Sequence, residues 1–388
     1  MTVCRIPFNR VTPVGRELEH VREALTGGHI SGAGPFTRAG EALLERELGV
    51  RKALLTTSCT HALEMSALLL DLEPGDEVIL PSFTFVSTAN AFVLRGARPV
   101  FVDIRDDTLN MDERRVASVV TSRTRAIVVV HYAGVACEMD AILALAAARG
   151  ISVIEDNAHG LFGRYRGQWL GTFGRMAALS FHETKNFSCG EGGALLLNEP
   201  ALIERAEVLR EKGTNRSKFF RGEVDRYTWV DVGSSYVPSD LLAAFLLGQL
   251  EARDEIQRRR REVFERYHAA LEPWARQHGI PTLSPGEGSD HPYHMYYLRL
   301  PNAQVRRQFI DALGAAGALA VSHYVPLHLS PMGRRYDYKP GDLPVTEAVS
   351  EEIVRLPFYA ALTVEDQETV TEVIERLNPH AMAEQIRG

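Results

Sequence analysis

The stretch "RAIVVVHY" (Arg125–Tyr132) leads through "DAILALAAARG" (Asp140–Gly150) into "ISVIED" (Ile151–Asp156). Two apolar, β-branched runs are joined by a segment with helical apolar spacing that ends at a glycine. A strand with no polar face must be covered on both sides, and two such strands joined by a helix read as a parallel pair. The pattern extends outward in both directions. "ALLTT" (Ala53–Thr57), "EVILP" (Glu77–Pro81) and "PVFVD" (Pro99–Asp103) come before, and "MAALSF" (Met176–Phe181) and "GALLLN" (Gly193–Asn198) come after. Helix-patterned segments such as "HALEMSALLLDL" and "VSTANAFVLRG" lie between them. The expectation is an α/β fold with a large, mostly parallel sheet between helices. Its ligand belongs at the carboxyl ends of the strands.

Beyond Leu250 the texture changes. "EARDEIQRRRREVFERYHAALEPW" predicts a long charged helix. Its arginines interleave with acids, as on a solvated face rather than a nucleic-acid patch. "YHMYYLRL" and "AVSHYVPLH" read as strands, and "VRRQFIDALGAAG" and "TVEDQETVTEVIERL" as helices. The expected division is a large domain, residues 1–250, and a smaller α+β domain, residues 251–388.

The 388 residues are 45% hydrophobic, enough for a sizeable core, and a net charge of -7 argues against nucleic-acid or anionic-membrane partners. Cys4, Cys59, Cys137 and Cys189 have no C-x-x-C spacing, which predicts reduced thiols rather than disulfides or a zinc site. "MTVCRIPFNR" lacks the apolar stretch of a signal peptide, and no apolar run is long enough to span a bilayer. A cytoplasmic protein is expected.

The strand ends carry the chemistry. In "TTSCTHAL" (Thr56–Leu63), Ser58, Cys59 and Thr60 stand where a strand becomes a helix. Free N–H groups and hydroxyls there make either a phosphate seat or an ordinary N-cap. "PSFTFVSTAN" (Pro81–Asn90) places Phe83 and Phe85 among hydroxyls, as core rings or as a ring that stacks on a planar ligand. In "VIEDNAHG" (Val153–Gly160), Asp156 ends an apolar strand, and a buried carboxylate needs a cation, a metal or many hydrogen bonds. No ligand spacing favours a metal. "SFHETKN" (Ser180–Asn186) sets Lys185 before the glycine-rich "CGEGG", either as an exposed loop lysine or as a buried amine. A phosphate seat, a stacking ring, a buried aspartate and a buried lysine are together what pyridoxal phosphate requires. The lysine bonds the cofactor, and the aspartate keeps the pyridine nitrogen protonated.

"EDNAHG", "SFHETKN", "GEGG", "TSCT" and "SHYVPLH" resemble the motifs of the nucleotide-sugar aminotransferases, the DegT/DnrJ group, with the aspartate-aminotransferase (type I) fold. The resemblance runs essentially end to end. "IPFN", "PSFTFVSTANAFVLRGA", "VVHYAGVACEMD" and "REKGTNRSKFFRG" are similar to its 4-amino-4,6-dideoxygalactose-forming members. It implies a covalent bond from Lys185 to pyridoxal 5'-phosphate and an Asp156 contact with the ring nitrogen. Phosphate contacts are implied from Cys59, Thr60 and Ser180, with Ser58 beside them, and ring contacts from Phe85 and His159. It also implies a homodimer whose active sites are built from both subunits. His159 stands where many members have Gln, and Ser235 where many have an Asn that reaches the partner's phosphate.

The implied reaction takes an amine from L-glutamate and places it on C4 of a dTDP-4-keto-6-deoxyhexose. The charge and aromatic content of "SHYVPLH" make His323, Tyr324 and His328 candidates for the sugar-nucleotide side, against a core strand with one satisfied histidine. "GTNRSKFFRG" (Gly213–Gly222) carries Arg216, Lys218, Arg221 and two phenylalanines, as an interface and diphosphate site or as an exposed loop. Alternatives are another pyridoxal phosphate sugar enzyme, a 3-aminotransferase or a dehydratase, and a non-catalytic sensor. Lys185 argues against the dehydratases, which resemble the same fold with His at that position.

Overall fold

The computed structural model describes residues 5–283 and 285–384. Seven strands form the main sheet: β1 (Lys52–Thr56), β2 (Glu77–Pro81), β3 (Arg98–Val102), β4 (Thr124–Val130), β5 (Ser152–Asp156), β6 (Met176–Ser180) and β7 (Gly193–Leu197). Their order is β1-β7-β6-β5-β4-β2-β3. Strands β2 to β6 pair in parallel, whereas β7 is antiparallel to both its neighbours, β1 and β6. Strand β1 therefore runs with the parallel set. The carboxyl ends of six strands open on one edge, and the start of β7 reaches the same edge.

The apolar runs are buried on both faces because successive side chains of a strand point to opposite sides. Leu54, Leu80, Val128 and Leu195 pack with helices Cys59–Leu69 and Val86–Val93. Leu55, Leu179 and Leu196 face helices Pro35–Leu48 and Asp240–Glu251. Ile127, Val129 and Val153 face helix Met139–Arg149. The helices before β1 and the helix Asp240–Glu251 lie outside what the strand pattern revealed.

The long charged helix runs Arg253–Gln277. Arg258, Arg259 and Arg261 pair with Glu255 and Glu265 on its outer face. Arg260 differs: it is buried, and its guanidinium donates to the carbonyls of Tyr293 at 2.9 Å and His294 at 2.6 Å. That anchor holds residues 293 and 294 outside the sheet, so the expected strand "YHMYYLRL" shortens to β8 (Tyr297–Arg299). "AVSHYVPLH" likewise pairs only at β9 (Val321–Ser322), with Pro326, which has no N–H to donate, a few residues on. The central strand of this smaller antiparallel sheet is β10 (Ile353–Arg355), which the sequence pattern did not reveal. Helices Ala303–Ala315 and Val364–Glu375 cover it through Phe309, Leu313, Val370 and Ile374. The same core takes in Phe83 and Tyr132 from the ends of β2 and β4.

No helix among the described residues is long and apolar enough to cross a membrane. Among them, Cys59, Cys137 and Cys189 are free thiols; Cys4 lies outside the described residues.

The two carboxylates that end β5 part company through strand alternation. Glu155 is fully buried and accepts the N–H groups of Gly171 (2.6 Å), Phe173 (2.7 Å) and Gly174 (2.7 Å), with His131 Nε2 at 3.0 Å. It ties the turn before β6 to the sheet. Glu155→Ala leaves these donors without an acceptor and should cost about 3–5 kcal/mol of stability. Urea unfolding followed by circular dichroism checks this; a loss below about 1 kcal/mol would contradict it.

Candidate active site

At the end of β1, Ser58 caps helix Cys59–Leu69, its Oγ accepting the His61 N–H at 3.1 Å. The first-turn N–H groups point to the strand-end edge, where anions are favoured. Thr60 Oγ1 lies 2.7 Å from Ser87 Oγ on the neighbouring helix, and Ser180 ends β6 beside them. Burial pushes the Cys59 thiol up, so it remains an S–H. A Cβ on Gly193 would collide with the Cys59 nitrogen, which explains a glycine at the start of β7.

Asp156 is 5% exposed. Its Oδ2 accepts from Thr88 Oγ1 at 2.7 Å and its Oδ1 from the Ala158 N–H at 3.2 Å. Thr88 is itself held by Thr84 at 2.8 Å. Desolvation raises the Asp156 pKa against these two bonds. No arginine, lysine or histidine pairs with it within the described residues. A buried carboxylate in this state is suited to a cationic ligand group.

Lys185 sits in a turn after β6. Its N–H bonds to the His182 carbonyl at 2.9 Å, and the Glu183 N–H bonds to the Gly190 carbonyl at 2.9 Å. Gly190 closes the turn at φ +87°, a conformation that favours glycine. The half-buried amine stands at the wall of an open cavity, yet desolvation by the surrounding protein lowers it to about 8. Asp156 opposes that shift, and Arg355 adds to it.

These groups share a cavity of about 610 Å³, within the size range of cofactor sites. Phe85, 57% exposed as the first residue before helix Val86–Val93, lies at its rim, whereas Phe83 is a core ring. His159 accepts the Ala133 N–H at Nδ1 (3.3 Å), which puts the proton of the neutral ring on Nε2. Its ring stacks on His294 at 4.2 Å. His294 is in turn bonded to Asn186, the residue after the lysine, at 2.8 Å. His323 Nδ1 meets the Tyr132 hydroxyl at 2.9 Å. Burial pushes all three imidazoles below the usual range.

The structure thus brings Ser58, Cys59, Thr60, Phe85, Asp156, His159, Ser180, Lys185, His323 and Tyr324 to one cavity. It does not bring His328 there. That ring is fully buried between Ser82 Oγ (2.7 Å) and Glu347 (3.1 Å), fastening the loop after β9 to the end of β2. Ser235 is exposed, in an isolated bridge with Glu211 and outside the cavity of its own chain. The 213–222 segment contains a short helix, Arg216–Phe220, rather than a plain loop. There Lys218 pairs with Glu204 (2.6 Å) and Arg221 with Glu207 and Glu223 (2.7 Å each), also outside that cavity. The sequence reading missed Phe8, Asn9, Thr88, His294 and Arg355. A cation in the short apolar run "IVRLP" was the one available signal for Arg355.

The residues fit pyridoxal 5'-phosphate: a hydroxyl-lined anion seat, a carboxylate lacking a cation, and a desolvated amine within one cavity. Among the described residues, no group of three or more His, Cys, Asp or Glu could hold a metal ion. Comparison with known proteins agrees on the class. Residues 13–375 match the model of the DegT/DnrJ/EryC1/StrS aminotransferase family. The spore coat polysaccharide biosynthesis protein SpsC of Bacillus subtilis is 34% identical, over 95% of this chain and 96% of its own. The crystal structure of the aminotransferase TlmJ from Streptoalloteichus hindustanus superposes with a TM-score of 0.86 at 34% identity, covering 100% of both chains. The pyridoxal phosphate form of the putative sugar aminotransferase Spr1654 from Streptococcus pneumoniae gives 0.86 at 26% identity, covering 97% of this chain and 98% of that one. The chain belongs to the DegT/DnrJ/EryC1/StrS family: it is a pyridoxal phosphate-dependent sugar aminotransferase of the type I fold.

Only the neutral amine of Lys185 can bond a carbonyl. Capture of pyridoxal phosphate by the cofactor-free protein, trapped with borohydride, should therefore quicken with pH and level off above about 8. A rate still climbing at the ordinary lysine value of about 10.4 would contradict the desolvated amine.

Proposed function

We propose that this enzyme moves the amino group of L-glutamate to C4 of a dTDP-4-keto-6-deoxyhexose, dTDP-4-keto-6-deoxyglucose, giving a dTDP-4-amino-4,6-dideoxyhexose. The observation that carries the transamination is one cavity holding both an unpaired buried carboxylate, Asp156, and a desolvated amine, Lys185. The choice of sugar is supported by the segments similar to dTDP-4-amino-4,6-dideoxygalactose transaminase. When bound, the cofactor supplies an electron sink for carbon acids. Lys185 Nζ, in the same cavity, would take the proton from Cα of the donor and hold it for return, and would do the reverse on the sugar half. Asp156, aligned by Thr88, would hold the positive charge of the ring nitrogen. Ser58, Cys59, Thr60 and Ser180 would hold the phosphate, and Phe85 and His159 would lie beside the ring. His323 and Tyr324 line the side where the sugar enters.

The test is incubation with dTDP-4-keto-6-deoxyglucose and L-glutamate, with the product's C4 configuration read from NMR coupling constants. A 4-amino sugar from wild type is expected. From folded Lys185→Ala the rate should fall by several orders of magnitude, since a covalent catalyst is lost. A 3-amino product, a dehydrated product, or turnover of the variant within about tenfold of wild type would overturn the assignment.

The proposal includes a homodimer with shared active sites, acting in the cytoplasm. It assigns residues 1–250 to cofactor binding and 251–388 to the smaller domain. Phe220, Tyr227 and Trp229 are 69%, 52% and 77% exposed on one excursion of the chain, more apolar surface than a solvated loop needs. In the dimer this excursion brings Lys218 and Arg221 to the partner's sugar nucleotide and Ser235 to its phosphate. Only the sugar substrate brings a diphosphate. Lys218→Ala and Arg221→Ala should therefore slow the sugar half-reaction far more than the glutamate half-reaction. Equal losses in both, or a fully active monomer in sedimentation at assay concentration, would contradict the shared site.

A further inference from the structure

His294 is a cavity histidine that the protein leaves half used. Its ring is 7% exposed and lines the cavity that holds Lys185. Nδ1 lies 2.8 Å from Asn186 Oδ1, while Asn186 Nδ2 donates to the Pro292 carbonyl at 2.7 Å. A carbonyl can only accept, so the Asn186 amide has one orientation, with its N–H group to Pro292 and its oxygen to His294. His294 Nδ1 therefore carries the ring proton. Burial keeps the imidazole neutral, with the nearby His159 and Lys185 adding to it, so Nε2 is a bare lone pair. Nε2 has no partner among the described residues. Two histidines of the framework use both nitrogens. His131 accepts the Cys137 N–H at 3.2 Å and meets Glu155 at 3.0 Å, and His328 lies between Ser82 and Glu347. The segment that carries His294 is also held against its backbone preference. Tyr293 takes φ +53°, and Arg260 binds the carbonyls of Tyr293 and His294.

The partners of the two stacked rings give them opposite characters. His159, its centre 4.2 Å away, presents an N–H at Nε2, whereas His294 presents an acceptor. A neutral acceptor calls for a neutral donor. The carboxylates of an amino acid and the phosphates of cofactor and nucleotide only accept, and gain nothing from a lone pair. The cofactor's ring nitrogen is assigned to Asp156. A ketosugar brings hydroxyls, each of which can donate. In a 4-keto-6-deoxyhexose the reacting C4 lies between C3, with a hydroxyl, and C5, which bears the methyl group and the ring oxygen. Through Asn186, His294 is tied to the residue after Lys185. The 3-hydroxyl is the sugar donor nearest the carbon that Lys185 must reach.

We propose that His294 Nε2 accepts a hydrogen bond from the 3-hydroxyl of the ketosugar, so that the enzyme selects sugars with a hydroxyl beside the carbon that receives the amine. This rests on the proposed 4-ketosugar substrate. It gives His294 a part in the sugar half of the reaction and none in recognising the amino acid, although both substrates enter one cavity.

The experiment runs the sugar half-reaction backwards on the holoenzyme, from the dTDP-4-amino-4,6-dideoxyhexose that the forward reaction yields, followed by the absorbance of the bound cofactor. The 3-deoxy and 2-deoxy analogues of that aminosugar are compared with it. In wild type, removing the 3-hydroxyl should lower the second-order rate constant by about 10- to 100-fold, as for a buried acceptor left without its donor, and removing the 2-hydroxyl by much less. His294→Leu should lose a similar factor on the parent sugar and no longer distinguish it from the 3-deoxy analogue. His294→Gln, whose side-chain oxygen can accept, should recover part of the preference. In His294→Leu the glutamate half-reaction should suffer at least about tenfold less than the sugar half-reaction. A wild type that uses the parent and 3-deoxy sugars equally would overturn the inference without recourse to any variant. So would a folded His294→Leu that keeps the preference, or that loses both half-reactions equally, as for a ring that only props Asn186 and His159. A wild type that glutamate converts but none of the 4-amino sugars does would overturn the proposed substrate, and the role of His294 with it.

Discussion

Asp156 sits where a strand with no polar face runs out at the sheet edge, and two hydrogen bonds do not offset the water it has lost. A carboxylate in that position either takes up a proton or waits for a cation. The rest of the site is arranged around the second outcome. Thr84 and Thr88 orient the carboxylate, and the end of β6 and its following turn present the Lys185 amine to the same cavity. The anion seat at the end of β1 is on that edge too. A ligand with a cationic nitrogen, a phosphate and a carbonyl meets all three needs at once, which ties the fold's topology to its cofactor.

The same sheet shows how neighbouring residues of one type can take opposite roles. Glu155 and Asp156 are adjacent, but strand alternation sends them to opposite faces. Glu155 finds three backbone N–H groups and becomes part of the framework. Asp156 is left short of partners at the ligand edge. Arg260 and Arg355 repeat the contrast among cations: one is closed by carbonyls, the other has a buried Nε with no partner. At Asp156 it is incomplete pairing, rather than burial alone, that suits the group to a cationic ligand.

Much of this was legible in the sequence because apolar strands leave an unambiguous signal. All seven strands of the main sheet lie where apolar runs predicted them, within a residue or so at the ends, and the antiparallel sense of β7 is the one feature a periodicity cannot carry. Strand-end residues were legible for the same reason, since each follows a recognisable run. The smaller sheet was not. Its strands are two or three residues long and are set by contacts from distant segments, such as the grip of Arg260 on residues 293 and 294. His328 illustrates the cost: its motif suggested a ligand, but its partners, Ser82 and Glu347, are brought to it only by the fold. His294 and Arg355 come to the cavity by the same long-range route.

The central claim is that Asp156 holds a protonated ring nitrogen in the bound cofactor. The direct measurement is the ¹⁵N chemical shift of pyridoxal phosphate labelled at the ring nitrogen and bound to wild-type protein and to Asp156→Asn, at a pH above the nitrogen's value in free solution. The account predicts a protonated nitrogen in wild type and a neutral one in the variant. A neutral nitrogen in wild type, or the same protonated shift in both proteins, would contradict it.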